Sequence, residues 1–341
     1  MTCEPLATLA RYGALTAEAS AGYLPASEPS AHLYDLVGDY PSRAGKAIRP
    51  SLCLAACRAF GGALEEALPS AVAIELLHNA FLIHDDIEDG SLLRRGRPTL
   101  HAAHGVALAI NAGDALAYLA HAPLRDNRKL LGNRMAAGIV EEFDIMIRRT
   151  LEGQATELGW RRDGVLDVGP ADYLDLVLRK TCWYTTIHPL RIGATIGSWG
   201  RADLDAMVRF GFHLGAAFQI ADDLLNLEAD EALYGKEACG DLYEGKRTLM
   251  LVHLLSSAAP DDRRAVVDFL ARERHDRTPA DVASILALMI EYDSLIYARQ
   301  FGEGIASVAL DLFDEAFAGA IDGEDLWFLR ALVPWMLDRP T

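Results

Sequence analysis

Apolar residues recur at helical spacing along almost the whole chain. Between Ala71 and Ile87, residues Ile74, Leu77, Phe81 and Leu82 fall on neighbouring turns of one helix. Comparable patterns run through Ala107–Ala120, Met135–Leu151, Tyr173–Leu178, Leu204–Leu227, Thr248–Leu255, Val282–Tyr297 and Ile305–Phe317. No stretch shows the period-two alternation and turn signals of a hairpin. The pattern predicts an all-α protein. Turn-forming residues break it at Ser27–Ser30, Arg161–Pro170, Ala229–Gly245, Ser256–Asp262 and Arg272–Pro279. None of these breaks is long or biased enough to be a domain linker, and no solenoid-type repeat occurs. The expectation is one helical domain over 1–341, with 1–30 as a loosely ordered N-terminal segment.

Composition narrows the class. At 51% hydrophobic residues the chain is not a disordered one. No run approaches the roughly 18 uncharged apolar residues of a membrane span. Met1–Ala10 lacks the basic-then-apolar order of a signal peptide. With 49 acidic against 32 basic residues, the net charge of −17 argues against a nucleic-acid partner. The five cysteines are scattered, odd in number and without C-x-x-C, which fits a reducing, cytoplasmic setting.

Two acidic clusters stand on apolar helices. In His84-Asp85-Asp86-Ile87-Glu88-Asp89, positions 85 and 89 share a helix face. Carboxylates stacked in this way either stay in solvent or surround a cation, and one such motif alone reads as well as a frayed acidic helix end. Gln219-Ile220-Ala221-Asp222-Asp223-Leu224-Leu225-Asn226 repeats the pattern on a distant helix. Two acidic walls facing each other would hold divalent cations and through them a polyanion, most simply a diphosphate. Basic residues lie beside them: Lys46 and Arg49, Arg94, Arg95 and Arg97, Lys180, Lys236, and Lys246-Arg247. In a chain short of basic residues this grouping suits phosphate oxygens. The histidines form no metal-ligand spacing. Trp327, Phe328, Trp335 and Met336 read as core.

In combination these blocks resemble the trans-isoprenyl diphosphate synthases (polyprenyl synthetases). The blocks are Gly45-Lys46-x-x-Arg49-Pro50, Asp85-Asp86-Ile87-Glu88-Asp89 followed by Leu93-Arg94-Arg95-Gly96-Arg97-Pro98-Thr99, and Lys180-Thr181. Phe218-Gln219-x-x-Asp222-Asp223 and Gly240-Asp241-Leu242-x-x-Gly245-Lys246-Arg247-Thr248 complete the set. The resemblance implies a helical bundle around a central cavity, and a short-chain prenyltransferase that joins isopentenyl diphosphate to an allylic diphosphate. It implies about three magnesium ions on Asp85, Asp89 and Asp222, with Asp86 and Asp223 as further candidates. It places Arg94, Lys180, Lys236 and Lys246 on the departing diphosphate, and Thr181 and Gln219 beside the carbocation. Lys46, Arg49, His78 and Arg95 fall on isopentenyl diphosphate. It also implies a homodimer.

Asn226 departs from the family's usual Asp. Chain length is expected to depend on Phe81, Ala80, Leu77 and Ile74 beneath Asp85, and these point to geranylgeranyl diphosphate. Farnesyl diphosphate synthase and a terpene cyclase on the same fold are the alternatives. A cyclase has no second diphosphate, and would leave Lys46, Arg49, His78 and Arg95 without a role.

Overall fold

The computed structural model describes residues 5–43, 45–228 and 237–337; Lys236 lies outside the described residues. In chain order the helices are α1 (Pro5–Ala21), α2 (Asp35–Ser42), α3 (Ile48–Ala59), α4 (Leu64–Asp89), α5 (Leu100–His104), α6 (Val106–Leu119), α7 (His121–Arg162, kinked at Gly132) and α8 (Pro170–Val177). A π-helical segment, Leu178–Ile187, continues α8 into α9 (His188–Ser198). Then come α10 (Leu204–Glu228), α11 (Gly240–Glu244), α12 (Leu249–Ser257), α13 (Pro260–Leu270), α14 (Pro279–Glu291), α15 (Ser294–Ala316) and α16 (Glu324–Leu337).

Helix α4 is the central element, packed by α1, α3, α6, α7 and α9. It is apolar nearly all round because it is surrounded by protein. By length and composition it could cross a membrane, which the sequence reading did not anticipate. Yet 72% of that apolar window is buried inside the protein. The segment 1–30, expected to be loosely ordered, contains α1, whose Leu9 and Tyr12 lie in the core.

Helix α10 is the second axis. It packs against the π-helical segment and α15. Gly211, Gly215, Gln219 and Asp223 follow one another at intervals of four, on one stripe. A Cβ on Gly215 would lie 2.6 Å from Thr186 Oγ1, and one on Gly211 3.0 Å from Ile187 Cα. The glycines therefore let the π-helical segment come close, and the same stripe then carries Gln219 and Asp223 to it. Gly153 does likewise for α7: a Cβ there would lie 2.3 Å from the backbone nitrogen of Lys180.

Three expectations are corrected. The predicted helix Val282–Tyr297 is two helices, broken at Tyr292–Asp293, where Asp293 takes a left-handed φ of 56°. Trp327 is 58% exposed and is not core, whereas Phe328 and Met336 are fully buried. A minimal hairpin does exist among the described residues: β1 (Leu93–Arg94) pairs antiparallel with β2 (Arg97–Pro98). Its two turn residues, Arg95 and Gly96, have φ of 53° and 72°, the paired positive values of a type I′ turn.

Candidate active site

Gly90, with φ of 64°, stops α4 directly after Asp89, and its N–H closes the helix on the Asp86 and Ile87 carbonyls. The hairpin then doubles back and returns Arg94 to the helix end. Arg94 binds both oxygens of Asp86, with Nε at 3.0 and 3.1 Å, and its Nη2 lies 3.6 Å from Asp85. Tyr40 donates its hydroxyl to Asp86 as well. Asp86 is fully buried, and its carboxylate holds Arg94 in place.

Asp85 and Asp222, on separate helices, line one cavity of about 370 Å³. Arg49, Arg94, Arg95, Lys180 and Lys246 supply its positive charge, and Phe81, Leu82, Leu151, Leu176 and Phe218 its apolar wall. Lys180 Nζ lies 3.7 Å from Asp85 and also pairs with Glu157. Lys246 Nζ lies 2.9 Å from Asp89 and 3.3 Å from Asp241, and Arg161 Nη1 lies 2.6 Å from Asp89. Burial alone would raise the Asp89 carboxyl, but Lys246, Lys180 and Arg161 hold it far below the ordinary range. Burial pushes Glu244, beside Lys246, up to about 8 despite that lysine.

On the α10 wall, Asp223 accepts from the Tyr173 hydroxyl at 2.8 Å and from Gln219 Nε2 at 2.7 Å. Burial, aided by the neighbouring charge of Asp241, drives its carboxyl well up. One of its oxygens thus orients Gln219 and the other is held by Tyr173. Gln219 Oε1 in turn accepts from the Thr181 hydroxyl at 2.8 Å. Asn226 is also engaged: its Oδ1 accepts the Asp241 N–H at 3.1 Å, fastening the start of α11 to the end of α10.

These donors fit a hard divalent cation. Asp85, Asp89 and Asp222 offer only oxygen, and ammonium groups already stand beside the first two. Among the described residues no three ligating side chains are gathered as a finished metal site. Magnesium in general completes its shell with water and substrate phosphate.

The second basic group is partly assembled. Arg49 Nη2 donates to the Tyr184 hydroxyl at 2.7 Å, and its Nη1 lies 3.2 Å from His78 Nε2. Arg95 lines the same cavity and donates to the Arg43 carbonyl. The left-handed turn at Ala47 (φ 47°) separates Lys46 from Arg49. Lys46 is exposed, with Nζ 5.9 Å from the Trp335 ring centre, outside the cavity lining. Of the four expected chain-length residues only Phe81 lines the cavity; Ala80, Leu77 and Ile74 are buried behind it. Sequence reasoning missed Tyr40, Glu157, Arg161, Tyr173, Tyr184 and Glu244. Glu157 and Arg161 sit four apart on α7, and that spacing is the one signal that could have pointed to them.

The sequence matches the Polyprenyl synthetase family over residues 30–289. A geranylgeranyl diphosphate synthase from Sulfolobus acidocaldarius is 33% identical over 306 residues, covering 89% of this chain and 88% of that protein. The crystal structure of a geranylgeranyl pyrophosphate synthetase from Pyrococcus horikoshii superposes with a TM-score of 0.85 at 30% identity, over 98% of both chains. That of a Corynebacterium glutamicum geranylgeranyl pyrophosphate synthase, complexed with isoprenyl diphosphate and magnesium, gives 0.86 at 27% identity, over 97% of this chain and 99% of that one.

Proposed function

The chain belongs to the polyprenyl synthetase family, and from that premise we propose that it is a short-chain trans-prenyltransferase making geranylgeranyl diphosphate from isopentenyl diphosphate and allylic diphosphates. One observation carries this reading: Asp85 and Asp222 open onto the same cavity as Lys180, Lys246 and Arg94, with apolar side chains beyond them. An anionic head and a greasy tail can both be satisfied there.

The difficult step is the loss of diphosphate from the allylic carbon, which separates charge in a dry pocket. Asp85, Asp89 and Asp222 would hold magnesium, which would supply positive charge that makes diphosphate a better leaving group. Lys180, Lys246 and Arg94 bind the remaining diphosphate oxygens. The Thr181 hydroxyl, aimed by Gln219, directs an oxygen dipole at the allylic cation. Phe81, Leu82 and Phe218 exclude the water that would quench it. Arg49, His78 and Arg95 hold isopentenyl diphosphate so that its double bond faces the cation, and the released diphosphate takes the final proton. A cyclase would leave this second basic group without a ligand.

One domain carries the activity, and it works as a homodimer in the cytoplasm. Val106, Ile110 and Tyr118 recur along α6 as exposed apolar side chains, with Leu130 exposed on α7. A second copy covers them. The four described cysteines are free thiols, which supports a reducing compartment. The test is an assay with magnesium, labelled isopentenyl diphosphate and each of the five-, ten- and fifteen-carbon allylic primers. Sizing the dephosphorylated products should show a twenty-carbon alcohol. Cyclic hydrocarbon made without isopentenyl diphosphate would reverse the assignment.

A further inference from the structure

We propose that Tyr184 does two separable things in this site: its hydroxyl holds Arg49 for the second diphosphate, and its ring closes the prenyl cavity together with Phe81. The proposal rests on the prenyltransferase reading above.

The geometry is a ladder between α4 and the π-helical segment 178–187. The upper rung is polar, with Lys180 Nζ 3.7 Å from Asp85. Phe81 lies four residues before Asp85, and Tyr184 lies four residues after Lys180. The two segments run in opposite senses here, so these aromatic residues form the next rung. Their ring centres are 5.9 Å apart and their planes meet at 80°, edge to face. Both rings line the cavity. A prenyl diphosphate gripped at the upper rung points its tail towards the lower one, about one helical turn or ~5 Å deeper. The floor is thus built from two helices, and the size of residue 184 should set product length as directly as that of residue 81.

The hydroxyl meets Arg49, which lines the same cavity. Arg49 Nη2 donates to that hydroxyl at 2.7 Å, while the guanidinium carbon lies 4.3 Å from the ring centre. His78 completes the cluster, with its ring centre 5.9 Å from that of Tyr184. A guanidinium fixed on both its edge and its face is pre-organised for a diphosphate. Removing only the oxygen releases the edge of Arg49, leaves its stacking on the ring, and keeps the floor intact. Removing the ring opens the floor as well.

Two variants separate these roles. Y184F should raise KM for isopentenyl diphosphate roughly 5- to 10-fold, the loss of about one hydrogen bond, with kcat within about two-fold and product length unchanged. Y184A should raise KM similarly and lengthen the main product by at least one five-carbon unit. An unchanged KM in Y184F overturns the anchoring role, and a wild-type product distribution from Y184A overturns the floor. A wild-type protein inert with every primer would fail the parent reading instead. Calorimetric titration of isopentenyl diphosphate into wild type and Y184F would then still decide the anchor, with equal affinities overturning it.

Discussion

Arg94 lies with its Nε 3.0 and 3.1 Å from the two carboxylate oxygens of Asp86, a buried ion pair eight residues apart in sequence. It divides the labour of an Asp pair that looks symmetric on paper: Asp85 faces the cavity, and Asp86 faces the protein. Tyr40 and Arg94 both depend on Asp86.

Asp86→Asn and Asp85→Asn should therefore fail differently. Asp86→Asn leaves the Arg94 charge buried without its partner, and should cost about 3–5 kcal/mol in urea unfolding. Asp85→Asn should change stability by less than about 1 kcal/mol and lower kcat about 100-fold or more. Equal unfolding midpoints for the two variants would contradict this division.

Phe81→Ala should lengthen the product by one or more five-carbon units, because of the four residues expected to govern chain length it alone reaches the cavity. Truncating Leu77 or Ile74, both buried, should instead cost about 2–5 kcal/mol of stability. Product sizing and urea titration of the three variants check this.

Gly153→Ala tests the approach of α7 to the π-helical segment. The added methyl would meet Lys180 at 2.3 Å from its nitrogen and 2.6 Å from its Cα, both backbone atoms that cannot swing aside. The expected cost is about 1–3 kcal/mol. A fall of about ten-fold or more in kcat/KM should accompany it as the Lys180 ammonium is displaced. Wild-type activity in a folded variant would refute the coupling.

Inorganic pyrophosphate and magnesium should each bind poorly alone. Without them the lysines meant for phosphate are paired with the carboxylates meant for metal: Lys246 Nζ is 2.9 Å from Asp89, and Lys180 Nζ is 3.7 Å from Asp85. Bringing both ligands exchanges these pairs for better ones. Calorimetry should show pyrophosphate affinity rising about ten-fold or more with magnesium, and falling back on adding EDTA.

Acid should weaken the fold through a cluster far from the chemistry. Glu142 accepts from His188 Nδ1 at 2.7 Å and from Arg191 Nε at 2.9 Å. Burial works to raise its carboxyl, yet Arg191 and His188 bring it down from 4.5 to about 2. Burial also lowers His188 below its ordinary 6.5, only partly offset by Glu142. Below pH 6.5 the unfolded chain protonates this histidine first, and below 4.5 it protonates the glutamate first. Both effects subtract stability as pH falls, and the glutamate's share, about 2–3 kcal/mol, is lost on approaching pH 2. Urea titrations at pH 7, 5 and 3 should show the decline, and Glu142→Gln should flatten its lower part.

The fold class and the residues facing the cavity were largely legible, because each rests on a local pattern. The α4 stripe announces itself in Phe81 and Asp85, four residues apart, and the acidic pair on α10 follows the same logic. What stayed hidden was which partner each charge would find. Asp86 is told from Asp85 only by a hairpin whose turn places Arg95 at positive φ, a conformation arginine does not advertise. Glu157 and Arg161 sit on α7 among many charged residues, so their inward direction depends on tertiary packing. Likewise Asp293 breaks a continuous apolar pattern without Gly or Pro. Trp327 has the composition of core, yet it sits on the outer side of α16.

The π-helical segment imposes a constraint of its own. Its wider turns set where Lys180, Thr181 and Tyr184 stand relative to α4 and α10. Deleting one residue between 178 and 187 would tighten the coil to ordinary pitch and rotate its downstream side chains away from their partners. This stretch should therefore reject single-residue insertions and deletions even where it accepts substitutions, so variation here is confined to side-chain identity while the residue count stays fixed.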